Sequence, residues 1–169
     1  MMEICNRNRR ETPEAAELVS YLSEHGYHVS TAESCTGGLI ASGIVDVSGA
    51  SVVFEEGYVT YSNRIKEKLL GVSAETIAKY TVVSSQIAEE MASGMAKTAG
   101  TELSISVTGY AGPDSGEDGT PAGTVYIGVC FNGETVSRHF LFEGDRGQVR
   151  VQAARASYIF ALEIMKRME

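Results

Sequence analysis

The stretch Thr31-Ala32-Glu33-Ser34-Cys35-Thr36-Gly37-Gly38 places a serine, a thiol and two glycines between an extended segment and a run of small apolar residues. A serine at such a strand-to-helix junction lies beside backbone N–H groups that lack a helical partner and can hold an anion, a developing oxyanion included. Ser34 therefore has the setting of an acyl-transfer nucleophile, and the simpler alternative is that Ser34 or Thr36 caps the helix. A serine hydroxyl also needs a base. GxSxG is absent, and His25, His28 and His139 fall in no triad context and no zinc-ligand spacing. Lysine can serve instead, provided desolvation or a neighbouring cation lowers its pKa from ~10.4. Lys66 stands at a second strand-to-helix junction, Tyr61-Ser62-Asn63-Arg64-Ile65-Lys66, where Arg64 would be such a cation if it pointed inward and would have no effect if it pointed out. Spacing alone leaves open a solvated helix charge at Lys66. Cys35 could also be taken for the nucleophile, with His28 as partner. A small buried cysteine packed beneath the turn is the favoured reading.

A second cluster is glycine itself. Of the chain's 18 glycines, Gly109, Gly112, Gly116, Gly119, Gly123, Gly128 and Gly133 fall within one window, together with Pro113 and Pro121. The loop 109–123 follows one strand-like segment and precedes another, and ligands of α/β sheets bind beyond the carboxyl ends of strands. A plain surface connection is the alternative. Neither GxxxxGK[ST] nor GxGxxG is present.

Elements to hold these residues can be read along the chain. Thr12-Pro13 with acids following predicts a helix start, with Ala15, Leu18, Val19 and Leu22 apolar and Gly26 as its end. Strands are predicted over 27–32, 58–61, 103–108, 124–131 and 135–142, the last two joined by the hairpin dipeptide Asn132-Gly133. A buried helix is predicted over 36–45, with others over 63–70, after Ser73 and over 86–99, where Ile87, Met91 and Met95 share a face. Asp145 opens a long helix to about residue 167, with Val149, Ala153, Ala156, Ile159 and Phe160 apolar. Helices alternating with strands and a closing hairpin predict a three-layer α/β/α sandwich around a mixed sheet.

Composition narrows the classes. The 169 residues suit one domain, expected over 12–169 after a flexible segment 1–11. A net charge of −8 argues against a general nucleic-acid binder, whose affinity rests on Lys and Arg neutralising phosphates. Apolar runs stop short of the ~18 residues a membrane span requires, and the polar start lacks a secretion signal's apolar block. Three scattered cysteines, Cys5, Cys35 and Cys130, indicate neither a disulfide framework nor a metal site. A protein of the cytoplasm, without metal or membrane partner, is expected.

Four motifs in order, Glu33-Ser34-Cys35-Thr36-Gly37-Gly38, Thr60-Tyr61-Ser62-Asn63 with Lys66, Gly109 with Ala111-Gly112-Pro113, and Gly144-Asp145-Arg146 with Val149-Arg150, resemble one family. It is the C-terminal domain of the competence/damage-inducible protein CinA, and the resemblance covers about residues 12–167. The larger N-terminal domain of full-length members has no counterpart here, so a stand-alone version is expected. The resemblance implies hydrolysis of the carboxamide of nicotinamide mononucleotide to nicotinate mononucleotide and ammonia, with no cofactor or metal. It implies Ser34 as nucleophile, Lys66 as general base and Tyr61 as an aid to proton transfer. The turn Cys35, Thr36, Gly37 and Gly38 would contact substrate, its amides being candidates for the oxyanion hole, and Thr108, Gly109 and Gly112 would shape the pocket. Arg146 and Arg150, one helical turn apart, would clamp the substrate phosphate; their alternative is surface pairing with Asp145 or Glu143. Partners expected are a small-molecule nucleotide and further copies of the chain. The family pattern has Glu-Ala where this chain has Arg64-Ile65, and Asp114, Glu117 and Asp118 would oppose an anion if they faced the site. The competing function is a catalytically silent nucleotide-binding or regulatory module.

Overall fold

The computed structural model describes residues 11–168. The segment expected to be flexible over 1–11 thus falls, apart from Glu11, outside the described residues, as does Cys5. Thr12 caps the first helix, α1 (Pro13–His25), its hydroxyl accepting from Ala15 N, and Gly26 ends it. The remaining elements are β1 (Val29–Glu33), α2 (Leu39–Val45), a single 3-10 turn (Ala50–Val52), β2 (Phe54–Val59), α3 (Asn63–Leu70), α4 (Ala74–Tyr80), α5 (Ser85–Ala99), β3 (Leu103–Gly109), β4 (Thr124–Phe131), β5 (Glu134–Leu141) and α6 (Arg146–Met168). Among the described residues no helix is long and apolar enough to cross a membrane.

The sheet order is β2-β1-β3-β4-β5. β1 runs parallel to β2 and β3, whereas β3, β4 and β5 pair antiparallel. The sheet is therefore mixed, with α1, α2 and α6 on one face and α3, α4 and α5 on the other. Alternation along β3 explains the division. Leu103, Ile105 and Val107 enter the core under α1 and α6. The intervening Ser104 and Ser106 are fully buried on the opposite face and donate to carbonyls of α5, Ala92 O at 2.6 Å and Ala88 O at 2.5 Å.

Several boundaries differ from expectation for physical reasons. The strand expected at 58–61 begins at Phe54 and ends at Val59. It is an edge strand in which Phe54, Glu56 and Tyr58 are half-buried and Glu55, Gly57 and Val59 exposed, so acids hide its true start. The helix expected over 36–45 starts only at Leu39, because Gly37 and Gly38 turn the chain at φ +60° and +97°. Only Ile40 and Ile44 of that helix are buried, and Val45 faces solvent. Ile159, expected on the apolar face of α6, is also exposed.

Two close approaches set how the α5 layer sits. Ser104 and Ser106 bring α5 onto β3, while α3 crosses α5 where a Cβ on Gly94 would collide with the Leu70 carbonyl. Gly94→Ala should therefore force α3 away from α5 at a cost of about 1–3 kcal/mol. A thermal melt checks this, and an unchanged Tm would mean that α3 moves aside freely.

Candidate active site

The loops that follow β1, β2 and β3 emerge at the same end of the sheet, because these three strands are parallel. Ser34 continues β1 by one residue, its N–H donating to Val107 O at 3.0 Å. Thr60 continues β2, donating to Glu33 O at 2.8 Å. The chain then turns into α3, which carries Lys66 into the space between these two strand ends. Lys66 is fully buried. Its Nζ donates to Thr60 O at 2.7 Å and to Ser34 Oγ at 3.2 Å. Burial strips water from the ammonium and pulls its pKa down to about 8. Arg64, for which both orientations were open, is exposed on α3, and burial is what lowers the Lys66 pKa.

Glu33 decides the shape of the nucleophile's turn. It is 1% exposed, yet its carboxylate is fully engaged. Oε2 accepts from Thr36 Oγ1 at 2.7 Å, Gly38 N at 2.9 Å and Ile40 N at 3.1 Å, and Oε1 accepts from Ala41 N at 2.8 Å. The amides at the start of α2 are thus already bound to an internal anion, and neither Ser34 nor Thr36 supplies a side-chain cap. Sequence reasoning missed this role. The only signal was an acid just before the helix, masked by Ser34 and Thr36 as the more familiar cap residues.

Arg150 holds the other side of the turn. Its Nε donates to Cys35 O at 3.0 Å and its Nη2 to Thr36 O at 2.7 Å. It does not line the cavity described next. The pair of arginines is therefore split: Arg146 faces the cavity, donating to Gly112 O at 2.7 Å and Tyr61 Oη at 3.2 Å, while Arg150 grips backbone. Neither pairs with Asp145, which instead forms a capping box with Gln148, accepting from Gln148 N and donating its own N–H to Gln148 Oε1.

A cavity of about 300 Å³ opens over Ser34 and Lys66. Cys35, Tyr61, Asn63, Thr108, Gly109, Gly112 and Arg146 line it, with Val82, Val83, Tyr110, Ala111, Asp114 and Ser115. Thr36, Gly37 and Gly38 complete the turn that begins at Cys35, and of these four residues Cys35 is the one whose atoms line the cavity. Thr108 Oγ1 is spent on Val82 O at 2.8 Å. Tyr61 is exposed, and its hydroxyl bonds to Arg146 and not to Lys66 or Ser34. Of the three loop acids only Asp114 reaches the wall. Asn63, at the start of α3, and Tyr110 and Ser115, in the glycine loop, were not singled out as pocket residues from sequence, because single polar positions carry no periodicity.

Cys35 is buried, and desolvation pushes its thiol up to about 11, away from the reactive thiolate. His28 precedes β1, at the opposite end of the strand from Cys35, and bonds Glu102. A Cys35–His28 pair is excluded by that separation.

The family model for the CinA C-terminal domain matches residues 11–167. The nicotinamide-nucleotide amidohydrolase PncC of Enterobacter agglomerans is 44% identical over 154 residues, which is 90% of this chain and 92% of that protein. A CinA-like protein of Kosmotoga olearia is 49% identical over 89% of this chain, but the chain spans only 35% of that relative's length. Among solved structures, the competence damage-inducible protein A (ComA) of Klebsiella pneumoniae superposes with a TM-score of 0.90 at 38% identity, covering 92% of this chain and 97% of that one.

Proposed function

The chain belongs to the CinA C-terminal domain family, and from that premise we propose that it hydrolyses the carboxamide of nicotinamide mononucleotide to nicotinate mononucleotide and ammonia. The observation that carries the proposal is the buried Lys66 Nζ at 3.2 Å from Ser34 Oγ, at the base of a cavity sized for a small ligand. In the deprotonated enzyme the Lys66 amine accepts the Ser34 proton while Oγ attacks the carboxamide carbon. The tetrahedral oxyanion is met by N–H groups of the turn after Ser34. Lys66 then passes the proton to the departing nitrogen, ammonia leaves, and an ester on Ser34 remains. Water attacks this ester as Lys66 takes its proton; the carbon–Oγ bond then breaks, Lys66 returns the proton to Ser34 Oγ, and nicotinate mononucleotide leaves. Arg146, on the cavity wall beside Tyr61, is the cation placed for the substrate phosphate.

Ammonia release from nicotinamide mononucleotide by the purified protein tests the reading. Ser34→Ala should abolish it and Cys35→Ser should retain most of it. Binding without any release by the wild type would instead favour a silent nucleotide-binding module. The pH dependence has a definite sign. Below about pH 8 Lys66 holds its proton and cannot act as base, so kcat/KM should fall tenfold per unit on the acid side and level off above about pH 8. A limb near pH 10.4 would mark a solvated lysine.

A further inference from the structure

The turn after Ser34 is held from two sides, and only a few of its amides remain free. Ser34 N donates to Val107 O, Gly37 N donates to Ser34 O at 3.1 Å, and Gly38 N is bound by Glu33. Over 34–38 this leaves the amides of Cys35 and Thr36 as the ones without a backbone acceptor among the described residues. The Thr36 N–H belongs to the peptide whose oxygen is Cys35 O, the atom that receives Arg150 Nε. A cation donating to that oxygen draws electron density from the amide and sharpens its N–H as a donor. Arg150 also takes Thr36 O, so its planar fork fixes two successive peptide planes at once. The close contact extends to Gly37, where a Cβ would meet Arg150 Nη2 at 3.3 Å.

We infer that Arg150 is a positioning residue for the oxyanion hole: its guanidinium orients and polarises the Cys35–Thr36 turn, and it does not bind the substrate phosphate. The inference rests on Ser34 being the nucleophile proposed above. It differs from a phosphate clamp in what it predicts. A phosphate clamp acts on substrate affinity and is silent toward a substrate without phosphate. A positioned oxyanion hole acts on turnover and is indifferent to the phosphate.

The experiment uses Arg150→Ala and Arg150→Lys with three acyl donors: nicotinamide mononucleotide, nicotinamide riboside and p-nitrophenyl acetate. With the last, Ser34 Oγ takes the acetyl group, p-nitrophenolate leaves and Lys66 receives the proton. Acetyl-Ser34 is counted by peptide mass spectrometry against a Ser34→Ala background. Arg150→Ala should lower kcat about 10²-fold on the nucleotide with KM nearly unchanged, and slow acetylation of Ser34 by a similar factor. The ratio of nucleotide to riboside turnover should stay at its wild-type value. Arg150→Lys, able to reach one carbonyl but not both, should fall between. Added methylguanidine should restore part of the Arg150→Ala rate, which a merely misfolded variant would not show. A raised KM confined to the phosphorylated substrate, with acetylation untouched, would overturn the inference in favour of the clamp. If the wild type is silent on both nicotinamide compounds but still acetylates at Ser34, the substrate reading fails and the acetylation rates decide on Arg150 alone. No acetylation of wild-type Ser34 would overturn both.

Discussion

Lys66→Met is expected to release no measurable ammonia, a fall of at least about 10³-fold, while melting at a higher temperature than the wild type. The loss follows because no other base stands at Ser34: the cavity wall holds no histidine, and its one acid, Asp114, comes from the glycine loop. The gain in stability follows from the cost of burying an amine. Moving the Lys66 pKa from 10.5 to about 8 makes folding carry roughly 3 kcal/mol that a solvated lysine would not. Methionine fills the space of the aliphatic stem without that cost. Set against the lost hydrogen bonds, the net gain should be about 3–8 °C in Tm. Its pH dependence identifies the cause. Below about pH 8 both folded and unfolded Lys66 are protonated and the penalty is complete. Between about 8 and 10.5 the folded form alone has lost its proton, so wild-type stability rises and the gap to Lys66→Met should close. A gap that stayed constant to pH 10.5 would point to packing alone.

Glu33→Gln should be the most damaging isosteric change in the chain. The carboxylate satisfies three backbone amides and a buried hydroxyl with two oxygens, and a side-chain amide offers one oxygen and turns an NH₂ toward donors. Leaving such donors unmet in a buried place costs about 1–3 kcal/mol each, so a total of about 3–5 kcal/mol is expected after relaxation. Denaturant unfolding should show a lowered midpoint with m unchanged. A midpoint like the wild type's would mean that the start of α2 does not depend on the carboxylate.

These two residues also mark where sequence reading succeeds and stops. The helices α1 and α5 were legible because their apolar residues recur on one face, and the β4–β5 hairpin because Asn132 and Gly133 take up the positive φ values, 48° and 87°, that such a turn needs. The start of β2 was hidden by Glu55 and Glu56. Ser34 and Lys66 could be named from their junctions and from family resemblance. Their 3.2 Å approach could not, since it depends on α3 being seated against α5 beside the ends of β1 and β2. A lysine in sequence looks solvated, and an acid before a helix looks like surface charge. Both are buried here, because each finds its partners in backbone that only the tertiary fold brings near.

The seating of α5 on β3 through Ser104 and Ser106, and of α3 on α5 at Gly94, makes the catalytic spacing a stack of dimensional tolerances. Ser34 is anchored to the sheet, whereas the Lys66 backbone rides on α3, which rests on α5, and its Nζ reaches back to Thr60 O and Ser34 Oγ. Any slack or swelling along sheet, α5 and α3 is passed on to one gap. The α5–β3 and α3–α5 contacts thus act as the spacer that sets the reach of the base, and bulk added there reads out as lost turnover.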